Sequence, residues 1–180
     1  MATPTILSTI TPETIKNSFK EIMEDEAQHV SFFQTALKRA GVTPRPKPTF
    51  KGLAHTELDD FIAMSSMLEN AGVGAFLMAM PAISDTNATA AAASIATIEA
   101  RHAGFVNSLL GKPLAENGAF DKPISQNTIV DAVSPFIESL DDGPSPAEAL
   151  NSDPVILNFA LLLEHLEAEF YRVNVPRLFE

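Results

Sequence analysis

The chain has 180 residues, 46% hydrophobic and 19% charged, which is long and apolar enough for one domain, residues 1–180, with a real core. Its formal charge of −11 argues against nucleic acid or an anionic membrane as partner and favours the approach of cations. With no cysteine there are no disulfides, thiolate ligands or iron–sulfur clusters, so any metal must be held by oxygen and nitrogen.

No apolar run reaches the roughly 20 residues needed to cross a bilayer. The nearest, Ala71 to Ile83, is short and carries Pro81 near its end, so the chain reads as soluble. The start MATPTILSTI lacks a basic segment followed by an apolar stretch and a small-residue cleavage site. It shows no secretion signal, although a mature secreted form would look the same, and the compartment stays open.

Four stretches carry helical periodicity, and the spaces between them hold nearly all the prolines. The first, about 12–40, opens at Thr11-Pro12-Glu13, where threonine can cap and proline suits the first helical position, and ends before Gly41. Its apolar face reads Ile15, Phe19, Ile22, Met23, Ala27, Val30, Phe33, Leu37. After a proline-rich loop, Pro44 to Pro48, a second helix of about 57–80 runs to Pro81, which cannot continue a helix beyond its first turn. Asp85 or Thr86 caps a third, alanine-rich helix, about 86–110, ended by Gly111.

The stretch from Gly111 to Asn151 contains five prolines and supports only a short helix around Thr128 to Leu140, so it reads as irregular cover. Asp153-Pro154 repeats the cap-then-proline start, and a fourth long helix, about 154–175, is stopped by Pro176. No strand signal of comparable strength occurs. The pattern predicts an all-α, antiparallel four-helix bundle with a long irregular segment packed on it.

Two of these helices hold a glutamate followed three residues later by histidine: Glu26-Ala-Gln-His29 and Glu99-Ala-Arg-His102. Residues three apart share a helix face, so each pair can present a carboxylate and an imidazole to one point. The other two helices each carry a glutamate in an apolar stretch, Glu69 and Glu164. Buried carboxylates need a partner, and a metal ion is an effective one. The heights agree as well: Glu69 lies 12 residues before Pro81 and Glu99 lies 14 after Asp85. At about 1.5 Å per residue these are roughly 18 and 21 Å from the same turn, so an antiparallel hairpin sets both in one layer.

One glutamate from each of two helices and Glu-x-x-His from each of the other two make the di-iron or di-manganese carboxylate template. The same ligands also suit zinc, so sequence does not name the metal. Glu26, His29 and Glu164 are expected to serve one ion and Glu69, Glu99 and His102 the other, with at least one glutamate bridging. A single ExxH is more often a solvated helix face; two of them with two isolated core glutamates are not readily explained that way.

Internal symmetry points the same way. Glu69 is followed seven residues on by Phe76, and Glu164 seven on by Tyr171, so the halves look like a duplicated helix pair. Tyr171, the only tyrosine, is a candidate catalytic residue, either hydrogen-bonding a ligand carboxylate or acting as a redox-active neighbour; the alternative is an aromatic packing the bundle. Asp25 is placed to fix a ligand histidine and Arg101 to neutralise a nearby carboxylate. His165, turned about 100° from Glu164, is expected outside the metal layer and His55 in solvent; Glu167 and Glu169 can be extra ligands or groups that support the ligands, with at least one of them expected in solvent. Gly72 and Gly74 can either open a cavity beside Glu69 or permit close helix packing.

The segments LEHLEAEFY (163–171), EDEAQHVSFF (24–33), LENAGVGAFL (68–77) and IEARHAGFV (98–106) resemble the ferritin-like group that includes fungal stress-response and plant desiccation-related proteins, with many bacterial members. The stretch GAFDKPISQNTIVDAVSPFI (118–137) is similar to the tail those proteins carry after their last bundle helix. In that group the LEHLEAEFY helix comes first, whereas here it comes last, so the order looks circularly permuted, or the final helix completes another subunit in a homo-oligomeric swap. The Glu164 to Tyr171 spacing is also similar to that of bacterioferritins and rubrerythrins, whose sites handle iron, oxygen and peroxide.

The resemblance implies a redox-active protein with two metal ions, iron or manganese, reacting with O2 or peroxide in stress defence. The rival is a non-catalytic stress or desiccation bundle with a vestigial or structural metal site. An iron-storage cage fits poorly, because the long segment after Gly111 is unlike compact cage ferritins.

Overall fold

The computed structural model describes residues 11–179. Four long helices form the bundle: α1 (Pro12–Arg39), α2 (Leu58–Ala79), α3 (Thr86–Leu109) and, after a short α4 (Gln126–Val133), α5 (Asp153–Phe179). Thr11 and Thr14 cap the start of α1 reciprocally, each side chain taking the other's backbone N–H, and Asp85 caps α3 by accepting from Ala88 N at 2.8 Å. Buried residues of α1 fall at Phe19, Ile22, Glu26, His29, Phe33 and Leu37, a three-or-four spacing that makes one continuous stripe.

Ring contacts give the helix directions. Phe19 at the start of α1 meets Phe61 at the start of α2, Phe105 near the end of α3 and Phe179 at the end of α5. Near the other end, Phe33 stacks on Phe76, and Leu37 shares a cluster with Ala92, Leu157 and Leu161. Hence α1 and α2 run one way and α3 and α5 the other, with α1 packed mainly on α5 and α2 on α3.

The two apolar clusters lie at opposite ends of the bundle: a larger one around Phe19, Phe61, Phe170 and Val175, and a smaller one around Phe33, Phe76, Ile95 and Leu161. On α1 and α3 the glutamate singled out above falls between residues of one cluster and residues of the other, while on α2 and α5 the two clusters interleave around it. The polar layer is therefore a slice through the middle of the core.

The segment after α3 covers the bundle through α4, whose Ile129 and Val133 are buried in the larger cluster. Its approach depends on Gly74: Ile124 N donates to Gly74 O at 3.1 Å, and a Cβ at position 74 would lie 2.4 Å from Ile124 Cγ1. The short helix expected over Thr128 to Leu140 occupies only Gln126–Val133, followed by a 3-10 turn at Ser134–Phe136 and strand β2, Ile137–Ser139. Pro135 explains the early stop. β2 pairs antiparallel with β1, Thr49–Phe50, a ribbon whose strands are too short to leave a periodic signal.

Two further departures concern α5. The helix continues through Pro176 to Phe179, although proline forfeits its own N–H bond at a cost of about 3 kcal/mol within a helix. Burial of Val175 and the stacking of Phe179 on Phe19 at 5.3 Å offset it. Asp153, expected to cap α5, is its first residue and instead accepts from Ser84 N and Asp85 N at 2.8 and 2.9 Å, tying the start of α5 to the α2–α3 turn. Residues 58–82 are long and apolar enough, by length and composition, to cross a membrane, more than the sequence reading allowed; most of this helix is buried in the bundle.

Candidate metal centre

Each helix contributes to the layer in its own way. The i, i+3 spacing puts Glu26 and His29 on the inner stripe of α1, and Glu99 and His102 on that of α3. Glu69 and Glu164 reach in from α2 and α5, and all six side chains are buried.

Two groups of donor atoms result, each with its members within 4.8 Å of one another: Glu26, His29, Glu99 and Glu164, and Glu26, Glu69, Glu99 and His102. His29 Nδ1 stands 3.2 Å from Glu26 Oε2, 3.1 Å from Glu99 Oε1 and 3.2 Å from Glu164 Oε2. His102 Nδ1 stands 3.0 Å from Glu26 Oε1 and 3.3 Å from Glu69 Oε2. Glu26 thus turns one oxygen toward each imidazole.

This donor set is compatible with metal binding. Neighbouring ligands in an octahedral shell with bonds of about 2.1 Å lie about 3.0 Å apart, close to the spacing found. Glu26 Oε1, Glu69 Oε2, both oxygens of Glu99, Glu164 Oε2 and His102 Nδ1 are buried without a hydrogen-bond partner. Orphaned buried acceptors are costly unless something else satisfies them.

The electrostatics of the protein alone show the same crowding. Burial first, then the charge of Glu26, push the Glu99 carboxyl well above the usual range, and burial carries Glu164 up to about 8. Burial would lower the imidazoles, but neighbouring carboxylates more than offset it: His29 is raised by Glu164, Glu26 and Glu99, and His102 to about 11 by Glu26 and Glu69. Glu26 goes the other way, since the two histidines outweigh its burial.

Around the layer, the Tyr171 hydroxyl donates to Glu69 Oε1, and the phenol is completely buried. His102 Nε2 lies 3.3 Å from Asp25 Oδ2, the contact that orients Nδ1 inward. Asp25, His102 and Arg101 line a groove of about 260 Å³ between α1 and α3. Arg101 itself is exposed and makes no ion pair among the described residues.

Among the outlying residues, His55 departs from its expected place in solvent, while His165 lies outside both donor groups as expected. His55 is half-buried, edge-on to Phe170, because its backbone N–H is held by Asn174 Oδ1. His165 is buried, and burial with Lys47 and Arg45 nearby lowers it to about 4; it is in neither donor group. Glu169 is held between Lys47 at 2.6 Å and Arg172. Glu167 is only 3% exposed. Its burial was legible only as spacing, since it stands to Glu164 as each histidine stands to its glutamate.

The model of the ferritin-like domain family matches residues 3–112. The chain belongs to this family. No curated protein and no solved structure gives a match. The matched stretch of this ferritin-like chain spans α1 to α3 and holds Glu26, His29, Glu69, Glu99 and His102, while Glu164 and Tyr171 arrive on α5 from beyond it. In the structure α5 packs against α1 of its own chain.

Proposed function

We propose that this ferritin-like protein holds two redox-active metal ions, iron or manganese, and reacts with O2 or peroxide in metal oxidation or peroxide disposal as a stress defence. The observation that carries the reading is the pair of overlapping donor groups, each with one histidine and three carboxylates, sharing Glu26 and Glu99. Glu26 and Glu99 would be the residues shared between the two ions. His29 and Glu164 complete one position; His102 and Glu69 complete the other.

Bound metal supplies the electrons for the redox chemistry. The chain does the rest. Glu26 and Glu99 hold the two positions together, and Asp25 keeps the His102 lone pair facing the layer. Tyr171 fixes the rotamer of Glu69 and is the nearest candidate for a catalytic side chain that exchanges a proton or electron with the site. The apolar clusters above and below keep bulk water out, which strengthens every charge interaction inside.

The order of the helices supports descent from the fungal stress-response and plant desiccation-related group by circular permutation, because the family match ends before α5 and the fourth bundle helix follows a long connection. The functional reading is tested by metal analysis of protein purified from its source, followed by absorption spectra as O2 or peroxide is added to the ferrous form. Stoichiometric metal and a prompt spectral change support it. Metal-free protein, or a loaded form inert to both oxidants, sinks it.

A further inference from the structure

The internal duplication of α2 and α5 pairs Glu69 with Glu164 and Phe76 with Tyr171, and the same spacing pairs Gly72 with Glu167. Only one member of that third pair has a side chain. A Cβ at Gly72 would lie 3.0 Å from Glu99 Oε2 and 3.3 Å from Glu167 Oε1. The space left by the absent side chain on α2 is therefore occupied by two carboxylates, one of them reaching across from α5.

Glu167 has no hydrogen bond or ion pair among the described residues, although it is 97% buried by its 3% exposure. Each other acidic side chain buried in this layer meets a histidine or tyrosine. Small crevices of about 10 Å³ flank Glu167 and Gly72 on two sides, one toward Phe159 and Glu164, the other toward Val133 and Leu166. Glu167 thus borders small unfilled spaces on both sides.

We propose that Glu167 is a seventh metal ligand, which enters the coordination shell beside Glu99 on the Gly72 side of the layer. This rests on the dimetal reading above and extends it. Two buried carboxyl groups facing one another are held together by a shared proton in the stripped protein or by a cation between or beside them, and a bound metal ion would displace that proton. A fifth carboxylate also makes the two halves of the site unequal: one flank carries Glu167 as a donor, the other carries Tyr171 as a hydrogen-bond donor to Glu69. The more anionic set favours higher metal charge and hence the oxidised ions.

The test uses Co²⁺ as a redox-quiet probe on the full chain stripped with chelator, comparing wild type with Glu167→Gln and with Glu167→Asp, which keeps the charge but retracts it. Circular dichroism confirms that helix content is preserved; if the glutamine variant fails to fold, the aspartate variant decides. The expected result is two Co²⁺ per wild-type chain, with one of the two loosened about tenfold or more in either variant. The ligand-field bands of the variants should also gain intensity, as they do when a Co²⁺ ion loses a ligand. Wild type taking two Co²⁺ while both variants match it in affinity and spectrum overturns this inference alone. Wild type that takes up no Co²⁺ overturns the dimetal reading and this inference with it.

Discussion

The Tyr171 hydroxyl on α5 donates to Glu69 Oε1 on α2, two residues 102 apart in sequence whose bond crosses the bundle at the level of the metal layer. Replacement by phenylalanine removes only the hydroxyl and leaves Glu69 without its neutral donor. Stripped Tyr171→Phe should fold and lose about 1–2 kcal/mol of stability, the usual consequence of a lost buried hydrogen bond. Metal at the Glu69 and His102 position should weaken more than metal at the Glu164 and His29 position. Calorimetric melts and a two-site binding isotherm read both effects. A variant with unchanged affinities would show Tyr171 to be packing alone.

Glu164 and Glu167 share α5 and a helix face but differ in what surrounds them. Glu164 belongs to a donor group and stands 3.2 Å from His29 Nδ1, whereas Glu167 meets no histidine. Alanine at Glu164 should therefore reduce bound metal more than alanine at Glu167. Equal losses, measured by elemental analysis after dialysis, would put the site on the wrong part of the helix.

Stripped protein should lose stability as pH rises. Glu164, at about 8 when folded against 4.5 ordinarily, and His102, at about 11 against 6.5, hold protons in the native state that the unfolded chain releases earlier. The native state then binds more protons than the unfolded one, so stability falls through pH 4.5 to 8 for the first group and 6.5 to 11 for the second. The lowered Glu26 adds the opposite trend only in acid. Metal displaces these protons, so affinity should grow with pH and the loaded protein should not share the decline. Melts of stripped and loaded protein at about pH 6 and about pH 9 check the sign. A stripped protein more stable at the higher pH contradicts it.

Gly74→Ala probes the cover segment apart from the metal layer. The new methyl would meet Ile124 at 2.4 Å, and the bond between Ile124 N and Gly74 O fixes the two backbones. Overpacking of this kind should cost about 1–3 kcal/mol in thermal or denaturant unfolding, with metal uptake unchanged. Stability equal to wild type would mean that the cover yields freely.

The helices and the convergence of Glu26, His29, Glu69, Glu99, His102 and Glu164 were legible because both depend on spacing. Periodicity places residues on faces, and residue counts from a turn set heights. What escaped were features that depend on neighbours far away in sequence. The passage of α5 through Pro176 follows from the stacking of Phe179 on Phe19, and the capture of Asp153 by the Ser84 and Asp85 amides follows from how α5 docks. The β1–β2 ribbon has no local signature of its own. Which of Glu167 and Glu169 is buried was left open for the same reason: charge suggests exposure, and only the gap at Gly72 on another helix makes room for Glu167 inside.

The claim on which the account turns is that four buried carboxylates and two histidines await metal, so metal should stabilise the native state. Thermal unfolding of stripped protein with increasing Fe²⁺ under anaerobic conditions, or Mn²⁺, measures this directly. The predicted result is an unfolding temperature that climbs with metal concentration. The climb should shrink in His29→Ala and His102→Ala and persist in His55→Ala. An unfolding temperature that does not move for wild type at saturating metal would contradict the account.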